Sequence, residues 1–355
     1  MTDATAPLPP RPAEAHALAL ASDLPGARII CTTVGRAQAA QVLAAARPEA
    51  SVSTWFLDRY QHDLAVEAWR EPPAGLVATC AADMPPGPYD LAVIPLAKAG
   101  EAELTREILQ QALVQLAIGG RLVTAIDNPR DTWLREQLAA TGETVRVRPG
   151  EGPKPQTIGY IVEKTREPAK VRDFSCEVVF RDRDRLLTAF TRPGVFAHRR
   201  IDPAARHLLN AVDVAPDTQV LDIGCGSGCV ALGIAARDER VRVRAIDSSA
   251  RAVQCTRRGA EANGLSNIEV AVEAGGDVPD PGTYDLVLAN PPYYADFRIA
   301  ELFIDAARRA LAPGGTLLIV TKQPGWYLER LPGSWQDVSR EEVKTYHLIE
   351  AVRPT

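Results

Sequence analysis

The chain has no apolar run long enough to cross a bilayer. Its longest, around Val220 and Leu317, have strand length, against the roughly 20 residues a spanning helix needs. Met1 to Pro12 holds an acid at Asp3 and several prolines, with no basic-then-apolar pattern, so no secretory signal is expected. No pair of CxxC units exists. The six cysteines (Cys31, Cys80, Cys176, Cys225, Cys229 and Cys255) are scattered, which argues against a zinc or other metal site. Positive charge is not in excess either. The net charge of −5 excludes a uniformly basic nucleic-acid binder, though not a local basic patch. These absences lead us to expect a cytoplasmic globular protein, 46% hydrophobic and 24% charged, whose 355 residues suffice for two domains with separate cores.

The second half alternates short apolar strands with helical stretches. Gln219 to Ile223 is a strand that runs into Gly224-Cys-Gly-Ser-Gly228 and an alanine-rich helix, Val230 to Ala236. Val241 to Ile246 is a second strand, ending at Asp247. The helix from Ala250 to Asn263 stops at Asn263-Gly264, a helix-ending pair. Ile268 to Val272 and Tyr284 to Leu288 are further strands. Arg298 to Leu311 is a helix closed by Pro313-Gly314-Gly315, and Thr316 to Val320 is a fifth strand. This order predicts a parallel-rich sheet with helices on both faces.

The first half repeats the grammar. Arg28 to Cys31 is a strand, followed by a turn at Gly35 and a helix to Ala46. Val52 to Leu57 is a strand ending at Asp58. Pro88-Tyr-Asp-Leu91 and Gly119-Gly120-Arg121-Leu122 match Gly282-Thr-Tyr-Asp-Leu286 and Gly314-Gly315-Thr316-Leu317, at the same spacing. An internal duplication follows. The expected architecture is α/β: two tandem Rossmann-like domains with parallel-rich sheets. The copies diverge where ligands would bind. Cys31-Thr-Thr-Val-Gly35-Arg36 stands for Asp222 to Gly228, and Ile94-Pro-Leu-Ala97 for Asn290-Pro-Pro-Tyr293, so the first copy reads as degenerate. The expected division is a disordered tail over 1–24, a degenerate domain over 25–165 and a catalytic domain over 166–355. Pro149 to Pro155 reads as a linker or loop, Thr157 to Lys164 as the last strand of the first domain, and Phe174 to Phe180 with Arg185 to Thr191 as a hairpin.

A glycine-rich turn between a strand and a helix lets backbone approach a nucleotide closely. Asp222, which precedes the glycines, identifies the nucleotide. A carboxylate there opposes an anionic pyrophosphate but favours a sulfonium and an ammonium group, so S-adenosylmethionine fits better than a dinucleotide. Asp222, Gly224, Cys225, Gly226 and Gly228 would hold its methionine end, and Asp247 with Ser248 the ribose. After the third strand, Glu273 and Asp277 are both candidates for the adenine contact, and the segment does not decide between them. Cys225 and Cys229 read as small apolar fillers.

Asn290-Pro291-Pro292-Tyr293 follows the fourth strand, at the carboxyl edge of the sheet where such folds bind ligands. A conjugated exocyclic amine is a poor nucleophile. The Asn290 side-chain oxygen and the Pro291 carbonyl can each accept one of its N–H groups. Its lone pair would then face the methyl carbon, with the rate gain coming mainly from orientation. The two prolines stiffen the loop, Tyr293 can stack on a planar substrate, Asn290 also borders the cofactor, and no strong general base is evident nearby.

These residues resemble the class I methyltransferases, in the amino-methylating branch with an Asn-Pro-Pro-aromatic motif. Pro193-Gly-Val-Phe196, Ile201-Asp202 and His207-Leu-Leu209 are similar to the entry segment of ribosomal RNA guanine-N2 methyltransferases of the RsmC and RlmG type, which also carry a degenerate domain in front of the active one. The likeness covers the second half well and the first half in plan. It departs at Tyr293-Tyr294, where that family usually has Phe-His. The resemblance implies methyl transfer to guanine N2 in ribosomal RNA, with the small subunit favoured and free RNA or a ribosomal subunit as partner; the built-in duplicate domain, able to stand in for a second subunit, leads us to expect a monomer. Lys170, Arg172, Arg181, Arg183, Arg185, Arg192, His198, Arg199, Arg200 and Arg206 precede the core and can supply phosphate contacts; Asp182 and Asp184 alternate with the arginines, so part of the run reads as a solvated strand face. Arg199, Arg200, Tyr293 and Tyr294 are the substrate-binding candidates. Other readings are a protein-glutamine N5 methyltransferase acting on release factors, an adenine-N6 methyltransferase, and a non-catalytic RNA-binding platform.

Overall fold

The computed structural model describes residues 9–292 and 297–355. The chain divides into two compact units, Met1–Phe174 and Ser175–Thr355. This division lies later than residue 165. Arg172 is bound to the first unit through its backbone: its N–H donates to Gln110 at 2.8 Å, and its carbonyl accepts from the Gln110 side chain at 2.8 Å.

In the first unit the order is α1 (Pro12–Ser22), β1 (Arg28–Cys31), α2 (Gln38–Ala46), β2 (Ser51–Phe56), α3 (Arg59–Trp69), β3 (Leu76–Cys80), β4 (Tyr89–Leu96), α4 (Ala102–Gln115), β5 (Leu116–Ile126), α5 (Trp133–Ala139), β6 (Val145–Pro149) and β7 (Ile158–Glu163). The second unit opens with a hairpin, β8 (Cys176–Asp182) and β9 (Arg185–Thr191). It continues with α6 (Pro203–Ala211), β10 (Gln219–Ile223), α7 (Cys229–Ala235), β11 (Arg242–Asp247), α8 (Ala250–Ala262), β12 (Ile268–Val272), β13 (Tyr284–Ala289), α9 (Arg298–Ala310), β14 (Leu311–Thr321), α10 (Pro324–Arg330), β15 (Gln336–Val343) and β16 (Tyr346–Val352). Each unit holds one seven-stranded sheet, ordered β3-β2-β1-β4-β5-β7-β6 and β12-β11-β10-β13-β14-β16-β15. The first five strands in each order pair parallel and the last two join antiparallel. Strand residues alternate between two cores, as the pleat requires. Val220, Val243, Leu288 and Leu318 face α6 and α7, while Leu221, Ile246, Val287 and Leu317 face α9 and α10.

The repeat extends to hydrogen bonds. Tyr89 pairs with Leu116 and Tyr284 with Leu311, each followed by a register shift before Leu91 or Leu286. Gly119 donates to the Lys164 carbonyl at 2.7 Å, and Gly314 to the Arg353 carbonyl at 3.0 Å. The pairings align Asn290 with Pro95, one residue on from the Ile94 expected, and Asp222 with Cys31. The corresponding cations cap the same turn: Lys164 Nζ donates to the Leu116 carbonyl at 2.7 Å, and the Arg353 guanidinium to that of Leu311.

Two expectations need correction. The tail expected over residues 1–24 is a helix across Pro12–Ser22, with proline in the first turn. Its buried side includes Ala13, Ala17 and Ala21, at helical spacing. It is the counterpart of α6, and Pro12-Ala-Glu-Ala-His16 repeats Pro203-Ala-Ala-Arg-His207. Of the linker or loop expected over 149–155, Pro149 ends β6 and the rest lies in the hairpin loop between β6 and β7 inside the first unit, in agreement with the loop reading. Finally, Asp182 is not on a solvated face. Its side chain is 3% exposed and takes two hydrogen bonds of 2.9 Å from Arg237, itself 6% exposed. Arg237 also donates to the carbonyls of Val212 and Leu209, at 2.5 and 2.8 Å, tying the hairpin to the end of α6.

Removing one partner of such a pair strands the other charge. Arg237→Ala is expected to cost roughly 3–5 kcal/mol of stability, read as a lowered urea midpoint. Arg237→Ala with Asp182→Leu should recover much of the loss; a single variant as stable as the wild type would show that the pair is not needed.

Candidate active site

The carboxyl ends of β10, β11 and β13 bring the expected groups to one edge of the sheet. Gly224, Gly226 and Gly228 all have positive φ, at 76°, 56° and 80°. Gly228 is the most constrained, because a Cβ there would lie 2.8 Å from Thr256. The loop folds back on β11: the N–H groups of Gly224 and Cys225 donate to the Ile246 carbonyl at 2.8 and 3.1 Å. The Asp247 carboxylate takes the Gly226 N–H at 2.9 Å on one oxygen and the Ser249 N–H at 2.8 Å on the other. Ser248 lies between them, before Ser249 caps α8. Cys225 and Cys229 are buried free thiols. Burial pushes the Cys225 thiol well above its usual value and that of Cys229 up to about 12, so neither is poised as a nucleophile.

Asp222 is buried at the end of β10, 3% exposed. It accepts a hydrogen bond from the Ala231 N–H, and its Oδ2 has no partner among the described residues. Burial pushes this carboxyl up to about 7. The Ala231 bond works against the shift and the nearby Asp247 charge adds to it. A buried carboxylate oxygen lacking a donor suits a cationic ligand end, so the residues present fit S-adenosylmethionine.

Glu273 directly follows β12, and its N–H donates to the Asp247 carbonyl at 3.0 Å. Asp277 is exposed four residues on. Asn290 directly follows β13 and is half-buried. Its Nδ2 donates to Asp202 Oδ2 at 2.6 Å. Pro291 is buried and Pro292 half-buried, whereas Tyr293 and Tyr294 lie outside the described residues. Arg199 and Arg200 are exposed on the segment between β9 and α6. The Arg199 N–H donates to the Thr191 hydroxyl at 3.1 Å, and the Arg200 N–H to the Ala197 carbonyl at 3.1 Å. Of the other basic residues, Arg183 pairs with Asp213, and Arg192 donates to Gln254 at 2.6 Å. Among the described residues no helix is long and apolar enough to span a membrane, and no group of three acidic, histidine or cysteine side chains could hold a metal.

Sequence reading missed two supports of the site. Thr256 closes against Gly228 and donates to the Gly226 carbonyl at 3.2 Å. The Phe303 ring of α9 would meet a Cβ on Gly224 at 3.0 Å.

Residues 187–349 match the family model of the methyltransferase small domain. The chain is 37% identical over 142 residues to ribosomal RNA small subunit methyltransferase C of Chromohalobacter salexigens, covering 38% of this chain and 41% of that protein. It is 31% identical over 174 residues to the protein of the same name in Pseudomonas entomophila, covering 47% and 51%. The chain thus matches about two fifths to one half of these relatives' length. Among solved structures, the T. thermophilus 16S rRNA N2 G1207 methyltransferase RsmC, in complex with AdoMet and guanosine, aligns with a TM-score of 0.78 at 23% identity. The alignment covers 97% of this chain and 92% of that one. The two-unit fold is therefore shared over nearly the whole chain, and the residues that match the methyltransferase small domain lie in its second half.

The Asp222 carboxyl fixes a stability prediction for the domain. A carboxyl raised by folding costs nothing below the ordinary carboxylate range, and its full cost is present above the folded value of about 7. Asp222→Asn should therefore stabilise the ligand-free protein at pH 8, by up to about 4 kcal/mol, with the gain fading towards pH 4. Denaturation midpoints for the two proteins that differ equally at both pH values would contradict the assignment.

Proposed function

We propose that this protein transfers a methyl group from S-adenosylmethionine to the exocyclic amine of a base in RNA, guanine N2 of small-subunit ribosomal RNA, in the cytoplasm. The observation that carries this reading is the buried carboxylate Asp222 behind a glycine loop, with Asn290-Pro291-Pro292 at the next strand end. The names of the relatives supply the substrate. In this reading Asp222, Gly224, Cys225, Gly226 and Gly228 hold the methionine end, Asp247 and Ser248 the ribose, and Asp277 the adenine. The bound cofactor supplies an electrophilic methyl group. Asn290 Oδ1 and the Pro291 carbonyl accept the two amine N–H groups, turning the lone pair towards that methyl and dispersing the charge that grows on nitrogen. The C–N bond forms as the sulfur–methyl bond breaks to a neutral thioether, and the nitrogen releases one proton to water. Tyr293 stacks on the base, which is unstacked from its strand to reach the pocket. Tyr294, Arg199 and Arg200 contact the RNA, and the protein works as a monomer.

Two experiments test the reading. Radiolabelled S-adenosylmethionine, with ribosomal subunits or free ribosomal RNA, should yield N2-methylguanosine, and Asn290→Ala should lower kcat by roughly 100-fold or more. Label recovered only in release-factor glutamine or N6-methyladenine would replace the substrate; binding of RNA without transfer to any substrate would favour a platform. Because the Asp222 carboxyl sits near 7 without ligand and a cation favours its ionised form, cofactor affinity should be about tenfold weaker at pH 6 than at pH 8. Asp222→Asn should flatten that dependence; an affinity independent of pH would sink the assigned role.

A further inference from the structure

We propose that Asp202 is a positioning residue, which fixes the orientation of the Asn290 amide and thereby makes it a hydrogen-bond acceptor for the substrate amine. The proposal deepens the function proposed above and rests on it. An asparagine side chain presents an oxygen in one orientation and an NH2 group in the other, and rotation about its last bond exchanges them. Only the oxygen can accept from an amine N–H. An unpartnered asparagine could turn its own NH2 towards the substrate and repel it.

In this structure Asn290 Nδ2 donates to Asp202 Oδ2 at 2.6 Å, and Oδ1 has no partner among the described residues. A carboxylate accepts only, so the pairing permits one amide orientation, with Nδ2 on Asp202 and Oδ1 turned away. Asp202 is itself held. It is the N-cap of α6, its Oδ1 taking the Ala204 N–H at 3.3 Å, and a helix N-terminus favours a carboxylate. The negative charge behind the amide also polarises it, making Oδ1 a better acceptor as positive charge grows on the substrate nitrogen.

The first unit is an internal control. Its aligned positions hold Arg11 as the N-cap of α1 and Pro95 at the end of β4. The copy without the asparagine also lacks the carboxylate, although it keeps a helix of the same kind. Capping alone therefore does not demand an aspartate at this position.

Asp202→Ser separates the two roles, because serine caps a helix well but is too short to reach Asn290. The expected result is a kcat lowered roughly 10- to 100-fold. The KM for RNA, the cofactor Kd and the thermal midpoint should stay within twofold or a degree or two of wild type. Asp202→Asn, which can still offer an oxygen, should fall between. A purely structural role would lower the midpoint and leave kcat per folded molecule unchanged, and a wild-type kcat in Asp202→Ser would overturn the proposal. A second readout needs no turnover: the Asn290 side-chain amide resonances, assigned through Asn290→Ala, should shift in Asp202→Ser. If the wild type transfers no methyl group, the functional reading fails and these resonances alone decide the pairing, an unmoved signal overturning it.

Discussion

A carboxylate placed where water cannot reach it is the constraint around which the second unit is built. Asp222 is the last residue but one of β10, under the first turn of α7, with one oxygen paired to the helix and the other without a donor among the described residues. Burying it costs free energy that the empty protein carries without return. Ligands that bring a positive charge to that oxygen recover the cost, and neutral or anionic ones do not. The glycines that follow let the loop turn away from the acid and leave room beside it, while Asp247 clamps the loop through Gly226. In the proposed function, selectivity for a cationic nucleoside would follow from one buried charge and a loop shaped around it.

The first unit shows what remains when the constraint is lifted. Its sheet has the same order, the same register shift beside β4 and the same lysine-or-arginine cap on the last parallel strand. At the site, however, Cys31 stands in place of Asp222 and Pro95 in place of Asn290. The side chain of α1 residue Glu14 approaches from the helix instead. It takes the Thr33 hydroxyl at 2.7 Å and would lie 3.1 Å from a Cβ on Gly35, the counterpart of Gly226. Burial raises the Glu14 carboxyl. A side chain of the unit itself fills the space that the second unit keeps open.

The fold was legible because strand, glycine turn and helix recur at fixed spacing, and because Tyr-Asp-Leu and Gly-Gly repeat in both halves. The acid-first loop and Asn290 could be named for the same reason: their chemistry is local to a short segment. What the sequence hid was non-local or weakly patterned. Helix α1 is mostly small alanines, with little contrast between its faces, and so reads as tail. The charged edge strand β15 gives no apolar alternation to detect. Asp182 looked solvated because its partner, Arg237, lies far along the chain, and nothing marked Asp202 as a partner of Asn290, which lies further still. No spacing rule joins residues that meet only when the sheet closes.

The central claim is that the cofactor site survives in one copy of the duplicated fold and has been lost from the other. Calorimetric titration of the full chain with S-adenosylmethionine tests it most directly, through the number of sites. One equivalent bound per chain, lost on substitution of the Gly224 to Gly228 loop, is the expected result. Two equivalents, or one that persists after that loop is altered, would mean that the first unit binds the cofactor and would contradict the claim.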